Sequence, residues 1–157
     1  MIYEIRTYEL KPWSLPEFER RTAEKLPGRL GYSALGGFWY TEVGPLNQVV
    51  HIWPYEDLEQ RAEVRARAIA DGDWPPDNDE LILDARSEIY LPAPFMETLG
   101  DREIGPVYEM RTYSYALGDI PKVLDAWSGA IAERVKLSPL AGCWYSDIGG
   151  LNRFVHL

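Results

Sequence analysis

Residues 2–10 alternate two sets of side chains, Tyr3, Ile5 and Thr7 against Glu4, Arg6 and Tyr8. A period of two with β-branched and aromatic residues predicts a strand, here with one apolar face and one face bearing functional groups. Lys11-Pro12-Trp13 breaks it, and Ser14-Leu15-Pro16-Glu17 has the spacing of a capping box, so a helix should follow. Leu15, Phe18, Thr22, Ala23 and Leu26 fall on one side of that helix, Glu19, Arg20, Arg21 and Glu24 face water, and Pro27-Gly28 should end it. Gly36-Gly37 opens a second strand over 38–43, and Gly44-Pro45-Leu46-Asn47 is turn chemistry leading into a third over 48–53. With an even number of loop residues, Tyr40 would sit opposite His51 and Thr41 opposite Val50. After Pro54, a second helix is expected over 57–70, with Leu58, Ala62, Ala66 and Ile69 inward and an arginine-rich outer face. Residues 71–78, holding Trp74-Pro75-Pro76, read as an irregular loop, and 85–91 as a fourth strand closed by Pro92 and Pro94. The unit is βαββαβ.

The pattern then starts again. Tyr3-Glu4-Ile5-Arg6-Thr7-Tyr8 returns as Tyr108-Glu109-Met110-Arg111-Thr112-Tyr113, 105 positions later with a single change. The same offset pairs Trp39-Tyr40 with Trp144-Tyr145, Leu46-Asn47 with Leu151-Asn152, and Val50-His51 with Val155-His156. Such self-similarity is the signature of an internal repeat. Asp119 should cap a helix with Ile120, Val123, Leu124, Trp127 and Ile131 inward, and 140–148 with 152–157 repeat the hairpin. We therefore expect a first repeat over 1–95, a linker over 96–106 and a second repeat over 107–157 that lacks its last helix and strand. That shortfall leaves a strand edge unpaired, so a homodimer or larger assembly is expected.

Several of these stretches together resemble one family. Tyr3 to Tyr8, the Gly-Phe-Trp-Tyr at 37–40, the Leu-Asn-Gln-Val-Val-His-Ile-Trp-Pro-Tyr at 46–55 and the arginine-rich helix behind it are similar to NIPSNAP proteins, and residues 108–157 repeat the likeness in shorter form. The resemblance implies an α+β fold of tandem ferredoxin-like units whose sheets pack face to face as in dimeric α/β barrels. That superfamily also holds small cofactor-independent monooxygenases and haem-degrading enzymes. For NIPSNAP itself the resemblance implies no settled catalytic activity and supplies no agreed catalytic residue; animal members are linked to mitochondria and vesicle traffic.

Composition narrows the partners. With 157 residues, 46% of them hydrophobic, the chain can bury a sizeable core, while its net charge of −9 and pI near 4.7 argue against nucleic acid and anionic membranes. No apolar run approaches the roughly 20 residues a bilayer requires. Cys143 is the one cysteine, so no internal disulfide forms, and a lone thiol fits the cytoplasm. His51 and His156 stand far apart without metal-ligand spacing, Gly36-Gly37 has no phosphate-loop context, and Ser33 and Ser138 lack a nucleophile elbow; neither cofactor nor metal is expected.

The remaining chemistry lies on one predicted strand face: Glu4, Arg6, Tyr8, Tyr40, Asn47, His51 and Trp53, duplicated by Glu109, Arg111, Tyr113, Tyr145, Asn152 and His156. A helix-facing surface is not expected to hold so many polar groups. Enclosed between two sheets, these residues would make an aromatic-walled cleft for a small, partly apolar molecule. The plain alternative is structural, with each Glu and Arg pairing and each histidine satisfied by a neighbour. Two other functions stay open: a cofactor-independent monooxygenase or isomerase, with His51 or His156 moving a proton and Arg6 or Arg111 holding a carboxylate or enolate, and a protein-interaction scaffold.

Overall fold

The computed structural model describes residues 1–99 and 104–157. It is an α+β chain that divides into two compact units, Met1–Ser87 and Glu88–Leu157. The first holds β1 (Ile2–Leu10), α1 (Leu15–Leu30), β2 (Gly37–Tyr40), β3 (Gln48–Tyr55), α2 (Leu58–Ala70), a 3-10 turn (Asp79–Leu81) and the start of β4 (Ile82–Pro92). Its strands run in the order β2-β3-β1-β4, the ferredoxin-like arrangement. The second unit takes the end of β4, then β5 (Arg111–Ser114), α3 (Ile120–Arg134), β6 (Cys143–Ile148) and β7 (Arg153–His156), in the order β4-β6-β7-β5. The linker expected over 96–106 lies partly outside the described residues.

Local chemistry departs from the expected caps. Ser14 and Asp119 stand at the N-caps of α1 and α3 with helical backbone angles and no side-chain capping bond. Each of these helices has a proline in its first turn, which removes one of the orphan amides a cap would serve. Asp57 does cap α2, accepting from the amide of Gln60 at 2.9 Å, while the Gln60 side chain accepts from the amide of Glu56 at 2.7 Å. Pro27-Gly28 does not end α1, which runs on to Leu30.

Register decides which side chains meet. β1 and β3 pair antiparallel with Glu4 opposite Trp53, Arg6 opposite His51 and Tyr8 opposite Val49. In the β2-β3 hairpin, Phe38 stands opposite His51 and Tyr40 opposite Val49. The expected Tyr40-His51 pair is thus displaced by two residues. The face is as expected, because a shift of two preserves side-chain parity. The second unit pairs Arg111 with His156 and Tyr113 with Phe154 across β5-β7, and Cys143 with His156 and Tyr145 with Phe154 across β6-β7.

The helices cover the polar face, contrary to expectation. Phe18 of α1 meets the Tyr8 ring edge-on at 6.0 Å and stacks with Phe38 at 6.4 Å, and Leu10, Phe18 and Val49 form one buried cluster of the first unit. Trp127 of α3 lies 4.9 Å from Phe154 and 4.8 Å from His156, over a core of Ala93, Cys143 and Phe154. Arg6 and Arg111 therefore stand, each within its own unit, on the strand face that a helix covers. The second helix, α2, also turns differently from its expected orientation. Val64 and Ala68 are its buried residues, Arg61 and Arg65 flank them half-buried, and Leu58 and Ile69 are exposed. Arginines tolerate that position because their long stems lie along apolar surface while the guanidinium reaches a partner.

Candidate functional site

That partner is Glu4, a carboxylate with no exposed surface in the middle of β1. Its Oε1 accepts from Arg6 at 2.7 Å, Arg61 at 2.7 Å and the Ser87 hydroxyl at 2.6 Å, with Arg65 at 3.9 Å. Burial alone would push the Glu4 carboxyl up; the hydrogen bonds from Arg61 and Ser87 and the charge of Arg6 outweigh it and hold the pKa at about 2. The carboxylate is charged throughout the physiological range.

Arg6 spans the network and what lies beyond it. Its Nε donates to the Tyr8 hydroxyl at 2.8 Å, its Nη1 to Glu4, and the guanidinium lies 5.3 Å from the Tyr8 ring. Opposite Arg6, His51 is 2% exposed, and its Nδ1 accepts the Trp53 indole proton at 2.6 Å. Burial, reinforced by the charge of Arg6, brings its pKa down to about 3, so the ring is neutral. With Nδ1 accepting, the proton sits on Nε2. The lone pair a general base needs is committed to Trp53, so the geometry gives His51 the part of a hydrogen-bond donor rather than of a base. Trp53 also carries the Arg29 guanidinium 4.1 Å from its ring, and Arg29, 2% exposed, donates to Ser33 and Tyr55, each at 2.8 Å.

A cavity of about 240 Å³ opens on this face, lined by Arg6, Tyr8, Phe18, Thr22, Phe38, His51, Ile82, Ala85 and the segment Trp74, Pro75, Pro76, Asn78 and Asp79. Asn78 is 2% exposed and donates through Nδ2 to Thr22 at 3.3 Å, while its buried Oδ1 has no partner. Four aromatic rings and two prolines stand in the wall beside Arg6, Thr22, His51, Asn78 and Asp79, apolar surface with several polar groups, the make-up of a small-molecule site.

Of the residues predicted for the site, Arg6, Tyr8 and His51 line the cavity, and Glu4 and Trp53 hold them from behind. Tyr40 does not join them; it is 47% exposed. Asn47 and Asn152 prove to be turn residues, with φ of 58° and 54°, whose carbonyls accept from the amides of Leu10 and Tyr115. Asparagine tolerates this left-handed conformation better than most residues, which accounts for the repeated Leu-Asn. In the second unit the set is looser. Among the described residues Glu109 pairs with Arg111 alone, at 2.8 Å, with both side chains more than half exposed. Tyr113 is 37% exposed and stacks on His156 at 5.7 Å. His156 lines a separate recess of about 140 Å³ with Glu109, Tyr108 and Arg134, and Tyr145 borders neither cavity. Burial raises the Cys143 thiol to about 12, so it is no nucleophile. Among the described residues no three histidine, cysteine or acidic side chains gather as a metal would require, and no helix is long and apolar enough to cross a membrane.

The sequence reading missed Phe38, Thr22, Asn78, Arg29, Arg61, Arg65 and Ser87. Arg61 and Arg65 had a signal, since they share one helical stripe with Val64 and Ala68. Asn78 had none, because it sits in a loop without period.

Comparison with known proteins agrees with this architecture. The NIPSNAP family model matches residues 3–97 and 108–157. The chain belongs to the NIPSNAP family. Protein NipSnap homolog 3A of Homo sapiens is 33% identical over all of this chain, which spans 66% of that protein's length, and the Dictyostelium discoideum NipSnap homolog is 28% identical over 99% of the chain and 68% of its own. Among solved structures, a NIPSNAP family protein of unknown function from Agrobacterium tumefaciens superposes with a TM-score of 0.55 at 39% identity, covering 64% of this chain and 94% of its own. A NIPSNAP-like domain protein from Burkholderia xenovorans gives 0.57 at 37% identity, covering 63% and 90%. NIPSNAP membership and the ferredoxin-like fold are thus secured by sequence and structure together.

Proposed function

We propose that this NIPSNAP chain binds a small, partly apolar molecule in the cavity of its first unit, beneath α1 and the 74–79 segment. The observation that carries this reading is the convergence of Arg6, His51 and Asn78 on an aromatic-lined space of about 240 Å³. That volume lies just below the roughly 300–1,000 Å³ of pockets for drug-sized ligands, so the occupant is metabolite-sized. Binding is favoured over proton-transfer catalysis because Trp53 occupies the His51 nitrogen that a base would use.

The test is to titrate the protein with the neutral aromatics toluene and indole by ligand-observed NMR, alongside an Ala85→Trp variant. Ala85 is exposed where it borders the cavity, so a tryptophan there should obstruct the space without disturbing the core. Saturable binding that Ala85→Trp abolishes is the expected result; binding of equal strength in both proteins would place the ligand elsewhere and end the reading.

Self-association is part of the same proposal. Among the described residues β5 pairs only with β7, at the end of the strand order, and an exposed strand edge is a template for another strand. Native mass spectrometry should show a dimer or larger species; a monomer at high concentration would contradict it.

A further inference from the structure

Three features of the first unit bear on which molecule the cavity takes. The first is the set of unused donors. Arg6 spends Nε on Tyr8 and Nη1 on Glu4, which leaves Nη2 without a hydrogen-bond partner among the described residues, and His51 keeps the proton of Nε2. Both side chains line the cavity from paired positions on neighbouring strands. The second is local charge. Arg6, Arg61 and Arg65 all converge on the single carboxylate of Glu4, and Arg29 is buried against the Ser33 and Tyr55 hydroxyls and the Trp53 ring. Three guanidinium groups thus share one buried carboxylate, and the fourth, Arg29, meets only neutral groups among the described residues, in a chain whose net charge is −9. Asp79, exposed at the cavity wall, is the one acid among the lining residues. Arg6, half-buried at the cavity wall, shares its counter-charge with Arg61 and Arg65, so an anion in the cavity would be favoured beside it. The third is Asn78, whose buried Oδ1 accepts no proton although most such atoms find a donor.

We propose that the ligand is a small aromatic carboxylate bearing a hydroxyl group. Its carboxylate takes the free donors of Arg6 and His51, its ring lies against Phe18, Phe38 and Trp74, and its hydroxyl donates to Asn78. This rests on the cavity being a binding site, as argued above, and adds the chemical class of its occupant. A guanidinium and an imidazole N–H together hold a carboxylate by charge-assisted hydrogen bonds, whereas a neutral amide of the same shape would turn an N–H against donors that have nothing to accept it.

The probes are 4-hydroxybenzoate, 4-hydroxybenzamide and benzoate, titrated by calorimetry at pH 7. The carboxylate should bind at least tenfold more tightly than its amide, and benzoate should lose several-fold relative to 4-hydroxybenzoate. Asn78→Leu should remove that hydroxyl preference, bringing the affinities for 4-hydroxybenzoate and benzoate together, and Arg6→Lys should cut the carboxylate-to-amide ratio. Arg6 also supports Glu4, so the comparison of carboxylate with amide in the unaltered protein decides the matter should Arg6→Lys fold poorly. Equal affinity for acid and amide, with Ala85→Trp still blocking toluene or indole, would overturn the ligand class while the binding site stands. Failure of every aromatic probe, charged and neutral, would remove the binding site and the class with it.

Discussion

One hexapeptide pattern, Tyr-Glu-x-Arg-Thr-Tyr, occurs in both units and meets two environments. In the first, Glu4 has no exposed surface and is held by Arg6, Arg61 and Ser87; in the second, Glu109 is exposed and, among the described residues, forms its ion pair with Arg111 alone. The difference comes from the neighbours rather than from the hexapeptide. The helix α2 and the first half of β4 deliver two arginines and a serine to Glu4, and the described residues of the second unit include no counterpart of either. An identical pair of side chains is thus a buried network in one place and a solvated ion pair in the other. Buried, the pair costs desolvation that only the extra donors offset; exposed, it contributes almost nothing.

Substitution at the two glutamates tests this most sharply. Glu4→Gln strands Arg6, Arg61 and Arg65 without their counter-charge and should cost roughly 3–5 kcal/mol of stability, read by chemical denaturation. Trp53→Phe comes next: it deletes the donor to His51 Nδ1 and should cost about 1–3 kcal/mol, the usual penalty for leaving a buried acceptor unpaired.

Acid should act on the first unit in two stages. His51 has its folded pKa lowered from 6.5 to about 3, so the unfolded chain takes up the proton first, and the contribution present above pH 6.5 is lost as pH falls toward 3. Glu4, lowered from 4.5 to about 2, contributes above pH 4.5 and loses that contribution as pH falls toward 2. His51→Phe should flatten the stability curve between pH 6.5 and 4.5, and His156→Phe should flatten it less, because His156 is less buried and its pKa is lowered less. A larger flattening with His156→Phe would reverse the ranking of the two units. The smallest effect is expected of Glu109→Gln, which should leave the midpoint of denaturation unchanged; a loss matching that of Glu4→Gln would show that burial is not what separates the two sites.

Much of this was legible in the residues. Alternation placed Glu4, Arg6, Tyr8, His51 and Trp53 on one face, and the spacing of 105 recurs in the registers, where Arg6-His51 and Arg111-His156 are paired alike. What alternation cannot say is which of two strand faces the helices cover. We expected the polar face to avoid them, on the premise that helices present only apolar stripes. The premise failed at α2, where arginines occupy the inward stripe and make a buried glutamate tolerable. The two-residue displacement of Tyr40 has a different cause: the turn closes at Thr41 and Gln48, and loop length is the one quantity that local propensity leaves free. Asn78 was invisible because a side chain in an aperiodic loop acquires its neighbours only when the tertiary structure forms.

Gly37 and Gly142 hold a further consequence for mutational tolerance. In each unit an indole two residues on lies where a Cβ would project, 1.9 Å away for Trp39 and 2.1 Å for Trp144. Trp144 is wholly buried and has nowhere to swing, whereas Trp39 is half-buried and can move aside. Saturation mutagenesis should therefore find position 142 intolerant even of alanine, while position 37 accepts a methyl group once its tryptophan has tilted outward.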